Sequence, residues 1–221
     1  MSSYVFMKIL ESAPHRYDAG INMLSLGRIN RLKKEIAENY ISPGDTVLDV
    51  GCGTGTLAIL CAERDASVIG FDISPQMLNI AQRKIEERHL GEKIELREMG
   101  ATQMDSAFED ERFDKVVSTL VFSELYSDEQ KYVLRQTFRV LKPGGLLIIA
   151  DEVKPNSLLK RSLYLVVRIP LAVITYVFTQ TTTRELREIE RAIIDAGFGM
   201  IFTKRSLLGS LGLFVAKKAE R

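Results

Sequence analysis

The segment Val47-Leu48-Asp49-Val50-Gly51-Cys52-Gly53-Thr54-Gly55 narrows the folds open to this chain more than any other stretch. It is an apolar run carrying an acid, followed by glycines at 51, 53 and 55. Glycine tolerates positive φ and lets backbone approach a ligand closely. A strand running through such a loop into a helix puts the loop at the carboxyl edge of a parallel sheet, where open α/β sheets keep their ligand crevice. Dinucleotide sites also use glycine loops, spaced G-x-G-x-x-G. Counted from Gly51, the third glycine is replaced by Thr54. Counted from Gly53, the run is Gly53, Gly55, Ala58, the variant ending in alanine. The loop alone therefore leaves a dinucleotide open. Asp49 discriminates better, because a carboxylate there repels a pyrophosphate but accepts from an ammonium or a bound water. Asp72 ends the next apolar run, 17 residues after Gly55, where it can accept two hydrogen bonds from a ribose diol. Together these residues favour a cationic, phosphate-free nucleoside over NAD, and Asp49 argues against an NAD-dependent reductase.

Strand and helix patterns alternate along the 221 residues, which predicts an α/β fold with a mainly parallel sheet. Helices are expected over 22–40, 56–64, 76–89, 128–140 and 183–196. Strands are expected over 46–50, 68–71, 94–97, 113–118 and 146–150, with 200–205 and 211–217 as a closing antiparallel pair. Ser74 is placed to cap the third helix, and Pro75 suits its first position. Leu141-Lys142-Pro143-Gly144-Gly145 reads as a tight turn before the fifth strand. With no repeat or linker, the chain is expected to form one domain: a helical cap (1–40), a cofactor-binding core (41–155), an apolar insert or lid (156–182), and a closing helix and strands (183–221).

At this point a family resemblance enters. Val47 to Gly55 looks like motif I of the class I S-adenosylmethionine-dependent methyltransferases. Phe71-Asp72-Ile73-Ser74 followed by Met77-Leu78 resembles that family's second-strand motif, Phe113 to Val117 its fourth strand, and Leu141 to Gly145 the turn before its fifth. The order holds across about residues 40–155. The pattern is most similar to the ubiquinone/menaquinone-biosynthesis C-methyltransferases, through Tyr17-Asp18, Ser25 and Gly27, although Ile21 stands where that group has asparagine. Tyr4 to Lys8 and Pro14 to Asp18 also look like corrinoid-protein-associated methyltransferases. The resemblance implies a Rossmann-like fold: a mainly parallel seven-stranded sheet with an antiparallel last strand and helices on both faces. It implies S-adenosyl-L-methionine as cofactor, held by Asp49, Gly51, Cys52, Gly53, Gly55, Asp72, Ile73, Met77, Gly100, Ala101 and Thr102. Gly100 departs from the family, which often carries an acid there for the adenine amino group. The adenine is then expected against the Ala101 backbone and packed by Met77, Met99 and Met104.

Methyl transfer from a sulfonium is an in-line displacement, so a protein mainly aligns the reactants and excludes water. A carbon or oxygen nucleophile can also need a base. Tyr17 and Glu124 are the expected catalytic pair beside the acceptor. Ser162 to Phe178 is apolar but only 17 residues long, with Arg168 near its middle and Pro170 beyond, against the roughly 20 apolar residues of a spanning helix. It reads as a cap or lid near a pocket, which suggests a small hydrophobic or amphiphilic acceptor. The alternative is a non-catalytic adenosylmethionine-binding or corrinoid-associated accessory protein. A net charge of +1 supplies no field toward nucleic acid, and none is expected as a partner. A peripheral contact with a membrane or a corrinoid protein is the partner expectation. Cys52 and Cys61 form no disulfide framework and suit a reducing cytosol. Met1 to Leu10 lacks a signal-peptide pattern, so the expected location is cytoplasmic. His15 and His89 stand alone, and no metal is expected. Asp151-Glu152, ending the fifth strand, reads as structural or capping.

Overall fold

Strands that read as continuous apolar runs belong in a sheet covered on both faces, and the chain folds that way. The computed structural model describes residues 25, 27–153, 189–205 and 211–220. Tyr17, His15, the helical cap's residues 1–24 and the apolar insert with Arg168 lie outside them.

The elements run α1 (Arg28–Tyr40), β1 (Thr46–Val50), α2 (Thr56–Ala62), β2 (Ser67–Asp72), α3 (Pro75–Glu87) and β3 (Ile94–Glu98). A 3-10 turn (Ala101–Gln103), α4 (Met104–Ala107), β4 (Phe113–Thr119), α5 (Ser127–Val140) and β5 (Leu141–Glu152) follow. The described elements end with α6 (Ile189–Asp195), β6 (Gly199–Arg205) and β7 (Leu211–Lys217). The seven strands are ordered β3-β2-β1-β4-β5-β7-β6. β1 to β5 pair in parallel, and β7 runs antiparallel to both β5 and β6. This is the sheet expected from the sequence. β1 lies in the middle, with Asp49 registered against Gly70 of β2 and Val117 of β4.

The period of two along each strand divides the core. Leu48, Val50, Phe71, Val116, Ile149 and Phe214 face one cluster, closed by Val133 and Leu134 of α5 and Ile193 of α6. Val47, Val68, Val117, Ile148 and Val215 face the other, closed by Ile36 of α1, Leu57 and Cys61 of α2 and Ile85 of α3. A one-residue slip would exchange the two sets, so packing holds the register. Ser74 caps α3 as expected: its Oγ accepts from the Met77 N–H at 3.4 Å, with Pro75 in the first turn.

The first helix, expected from residue 22, begins at Arg28, because Gly27 stands before it at φ 75°, and two further features differ from the sequence reading. The Lys142-Pro143-Gly144-Gly145 turn sits inside β5 as a bulge, because Leu141 already pairs with Phe113 before Leu146 pairs with Lys115. The tail ties it down: the Gly144 N–H donates to the Lys218 carbonyl, and the Lys218 N–H to that of Gly145. The other is α4, too short to show periodicity, whose carbonyl at Met104 accepts from Arg139 Nη2 at 3.0 Å.

The amino ends of the central strands are locked by one carboxylate. Asp114 Oδ2 accepts from the Thr46 N–H at 2.9 Å and the Thr46 hydroxyl at 2.6 Å, and Lys142 Nζ donates to both Asp114 oxygens at 2.9 Å. Asp114→Ala is expected to lower unfolding stability by about 1–3 kcal/mol, since it strands the Thr46 N–H and the Lys142 ammonium. Cofactor binding at the far end of the strands should not change. Denaturant unfolding and ligand titration of the same variant check both halves.

Candidate active site

The carboxyl ends of β1, β2, β4 and β5 bring the expected residues to one edge. Gly51, Gly53 and Gly55 all take positive φ, at 68°, 54° and 72°, but they serve different ends. A Cβ on Gly51 would overlap Val121 Cγ2 of the loop after β4, and one on Gly55 would come within 2.9 Å of the Ala81 Cβ on α3. At Gly53 no heavy atom lies within 4 Å of such a carbon. Gly51 and Gly55 are packing positions, and Gly53 faces open space into which a ligand can come against the backbone.

Asp49 lies under this loop and is fully buried. Neither carboxylate oxygen has a hydrogen-bond partner. Burial pushes its carboxyl up to about 7; the Lys33 charge on α1 and the Ala58 N–H pull it down, the latter without hydrogen-bond geometry, while Asp72 pushes it further up. A buried carboxylate without partners is costly unless a cation or donor reaches it. The Asp72 carboxylate is built differently. Its Oδ2 accepts from the Gly53 N–H at 2.8 Å and its Oδ1 from the Ser74 N–H at 2.9 Å. Burial raises its pKa and these N–H groups lower it. Each oxygen keeps a further lone pair, enough for the two hydroxyls of a ribose. The orphaned Asp49, the open space at Gly53 and the spare acceptors of Asp72 fit a cationic, phosphate-free nucleoside.

The adenine side is corrected in part. Met104 is buried in the core with Phe71 and Phe108, and so is not a wall of the crevice. Met77 is also buried. The apolar side chain presented there is Ile73, 66% exposed, whose Cδ1 would lie 3.8 Å from a Cβ on Gly100. The Gly100 N–H, where the family's acid often stands, donates to the Gln103 side chain at 2.7 Å. Ala101 and Thr102 follow in the 3-10 turn. Cys52 is buried against Gly70, and burial with the Asp49 and Asp72 charges pushes its thiol well up, so it lines the loop without thiolate chemistry.

Glu124 stands on the loop after β4. Water reaches it, while protein crowds the rest of its surroundings. That crowding, then the charges of Asp151, Asp72 and Glu152, pushes its carboxyl up to about 7; open water access moderates the rise. Val121, Ser123 and Asp151 are the site-forming residues that the sequence reading did not place at the crevice. His89 follows the C-terminal cap of α3, at φ 56°.

A family model described as a methyltransferase domain matches residues 47–145, from β1 into the bulge of β5. A demethylmenaquinone methyltransferase of Symbiobacterium thermophilum is 36% identical over 157 residues, covering 69% of this chain and 59% of the relative. The chain thus spans under two thirds of that relative's length. A second enzyme of that name, from Lactiplantibacillus plantarum, is 28% identical over 230 residues and is covered to 95%, against 96% of this chain. Among solved structures, a geranyl diphosphate methyltransferase in complex with S-adenosylmethionine superposes with a TM-score of 0.63 at 18% identity, over 86% of this chain and 87% of that one. That likeness shows the fold.

Gly51→Ala is expected to destabilise the fold through the Val121 overlap. Gly53→Ala should cost only about 1–2 kcal/mol for its left-handed φ yet weaken adenosylmethionine binding at least tenfold. Thermal melts and calorimetry separate the two. For Asp49, a folded-state pKa above the unfolded value means stability that is full below about pH 3.9 and lost as pH rises through about 7. Asp49→Asn should therefore stabilise the ligand-free chain at pH 8 by about 1–3 kcal/mol, part of the gain being offset by the buried amide. It should also weaken binding of the cationic cofactor more than that of neutral adenosine.

Proposed function

We propose, for a chain whose residues 47–145 are a class I S-adenosylmethionine-dependent methyltransferase domain, that it methylates a carbon of a small, hydrophobic, quinol-like acceptor. The observation that carries the reading is the pairing of the orphaned Asp49 with the Asp72 carboxylate around the open space at Gly53. The names of the relatives supply the acceptor class.

S-adenosylmethionine supplies a methyl group already activated on a sulfonium. Asp49 would receive the positive charge of its amino-acid end, Asp72 would accept from its ribose hydroxyls, and Ile73 with the Gly100–Thr102 backbone would hold its base. Glu124 stands on the acceptor side. Transfer to an acceptor carbon would leave the methyl–sulfur electron pair on sulfur, and the one proton that the acceptor must then give up would go to Glu124. A carboxyl raised toward neutrality suits that task better than an ordinary surface glutamate, because proton transfer is best matched near the working pH. No helix among the described residues is long and apolar enough to cross a membrane. We place the reaction in the cytoplasm, with the protein touching a membrane only peripherally to meet a lipid-soluble acceptor.

Labelled S-adenosylmethionine offered with a reduced, prenylated naphthoquinone tests the reading. Label in the naphthoquinol ring is the expected result. Label only in an amine or carboxylate acceptor would contradict the acceptor class. Glu124→Gln is expected to lower kcat by roughly 100-fold or more with cofactor affinity kept. A base works in its ionised form, so wild-type turnover should fall as pH drops through about 7, and that limb should flatten in the variant.

A further inference from the structure

Leu120 adopts φ 62° in the turn between β4 and the loop that bears Glu124. A bulky residue in the left-handed region is uncommon, and surrounding structure must hold it there. Its N–H donates to the Ala150 carbonyl of β5 at 2.9 Å. The next residue, Val121, occupies the space above Gly51. Two clamps then close on the loop. The Ser123 N–H donates to Asp151 Oδ2 at 3.1 Å, while Asp151 Oδ1 accepts from the Glu152 N–H at 2.6 Å. Gln130 Nε2, from α5, donates to the carbonyls of Phe122 at 2.8 Å and Leu125 at 3.1 Å. Glu124 lies between these clamps, its own N–H donating to the Val121 carbonyl.

Asp151 is fully buried, and both its oxygens are occupied by backbone donors. A carboxylate taken wholly out of water to hold a loop amide is an expensive way to stabilise a turn. It makes sense where the direction of the neighbouring side chain matters. We infer that Asp151 is a positioning residue: through the Ser123 N–H, with Gln130 as the second clamp, it holds Glu124 aimed into the crevice. Asp151 does not touch the acceptor and takes no proton from it. The inference rests on the reading of Glu124 as the proton acceptor, and it adds that this group is preorganised from β5 rather than carried on a pliant loop. Small misplacements of a reacting group are costly; about 1 Å can lose roughly 100-fold in rate.

The test is a double-variant cycle on the full chain, with Asp151→Asn, Glu124→Gln and their combination, reading kcat, acceptor KM and adenosylmethionine affinity. Asp151→Asn is expected to lower kcat about 10- to 100-fold with KM and cofactor affinity within about twofold, and to add nothing on top of Glu124→Gln. Gln130→Met, which removes the other clamp from a half-exposed site, should do the same more mildly should Asp151→Asn fail to fold. An Asp151→Asn loss that multiplies with that of Glu124→Gln would make Asp151 merely structural and overturn the inference. So would full kcat in both clamp variants while Glu124→Gln is impaired. Full turnover in Glu124→Gln would overturn the role of Glu124 itself, and the positioning role with it.

Discussion

The space above Gly51 can hold one side chain, and Val121 fills it. That exclusion joins the two halves of the crevice. It requires glycine where β1 ends, so the loop can turn with positive φ at residues 51, 53 and 55. It also seats the loop after β4 directly against the glycines, so the backbone that carries Glu124 runs beside them while its side chain keeps access to water. The glycine loop and the loop that bears Glu124 are therefore not independent grafts on a sheet. Each is packed against the other, and the parallel pairing of β1 with β4 sets their distance.

The crevice concentrates negative charge that folding alone would not choose. Burial raises the carboxyls of Asp49, Asp72 and Asp151, and the crowding of protein and neighbouring carboxylates raises that of Glu124. Two of them, Asp72 and Asp151, are held by backbone N–H groups, and Asp49 is left without any hydrogen bond. The stability for this comes from elsewhere: two apolar clusters on either face of the sheet, and the Asp114–Thr46–Lys142 lock at its opposite end. The proposed site sits at one edge of the strands, where polar groups are unsatisfied or strained, and cohesion sits in the layers and at the other edge.

Much of this could be read from the chain, because the site depends on residue types with sharp physical meaning. Glycines at 51, 53 and 55, an acid at 49 and another closing the next strand are legible without any structure. So is the alternation of strand and helix that sets the sheet. What escaped depends on backbone and packing that no residue type announces. Leucine is not expected at positive φ, so the turn at Leu120 leaves no signature. Asp151 looks like any acid at a strand end until Ser123 is seen to donate to it. Met104 follows Gly100 closely enough to suggest an adenine wall, but α4 turns it into the core beside Phe71. The Lys142–Gly145 run signals a turn correctly, yet pairing of Leu141 with Phe113 absorbs it into β5. The expectation at Tyr17 falls outside the described residues.

The claim on which the rest stands is that this edge holds a sulfonium nucleoside and not a dinucleotide. Calorimetric titration of the full chain with S-adenosylmethionine, S-adenosylhomocysteine and NADH, each under the same conditions, tests it most directly. Micromolar binding of the first two with none of NADH is the result the structure predicts. Binding of NADH without either adenosyl compound would contradict it, and the glycine loop with Asp49 would then have to serve a pyrophosphate after all.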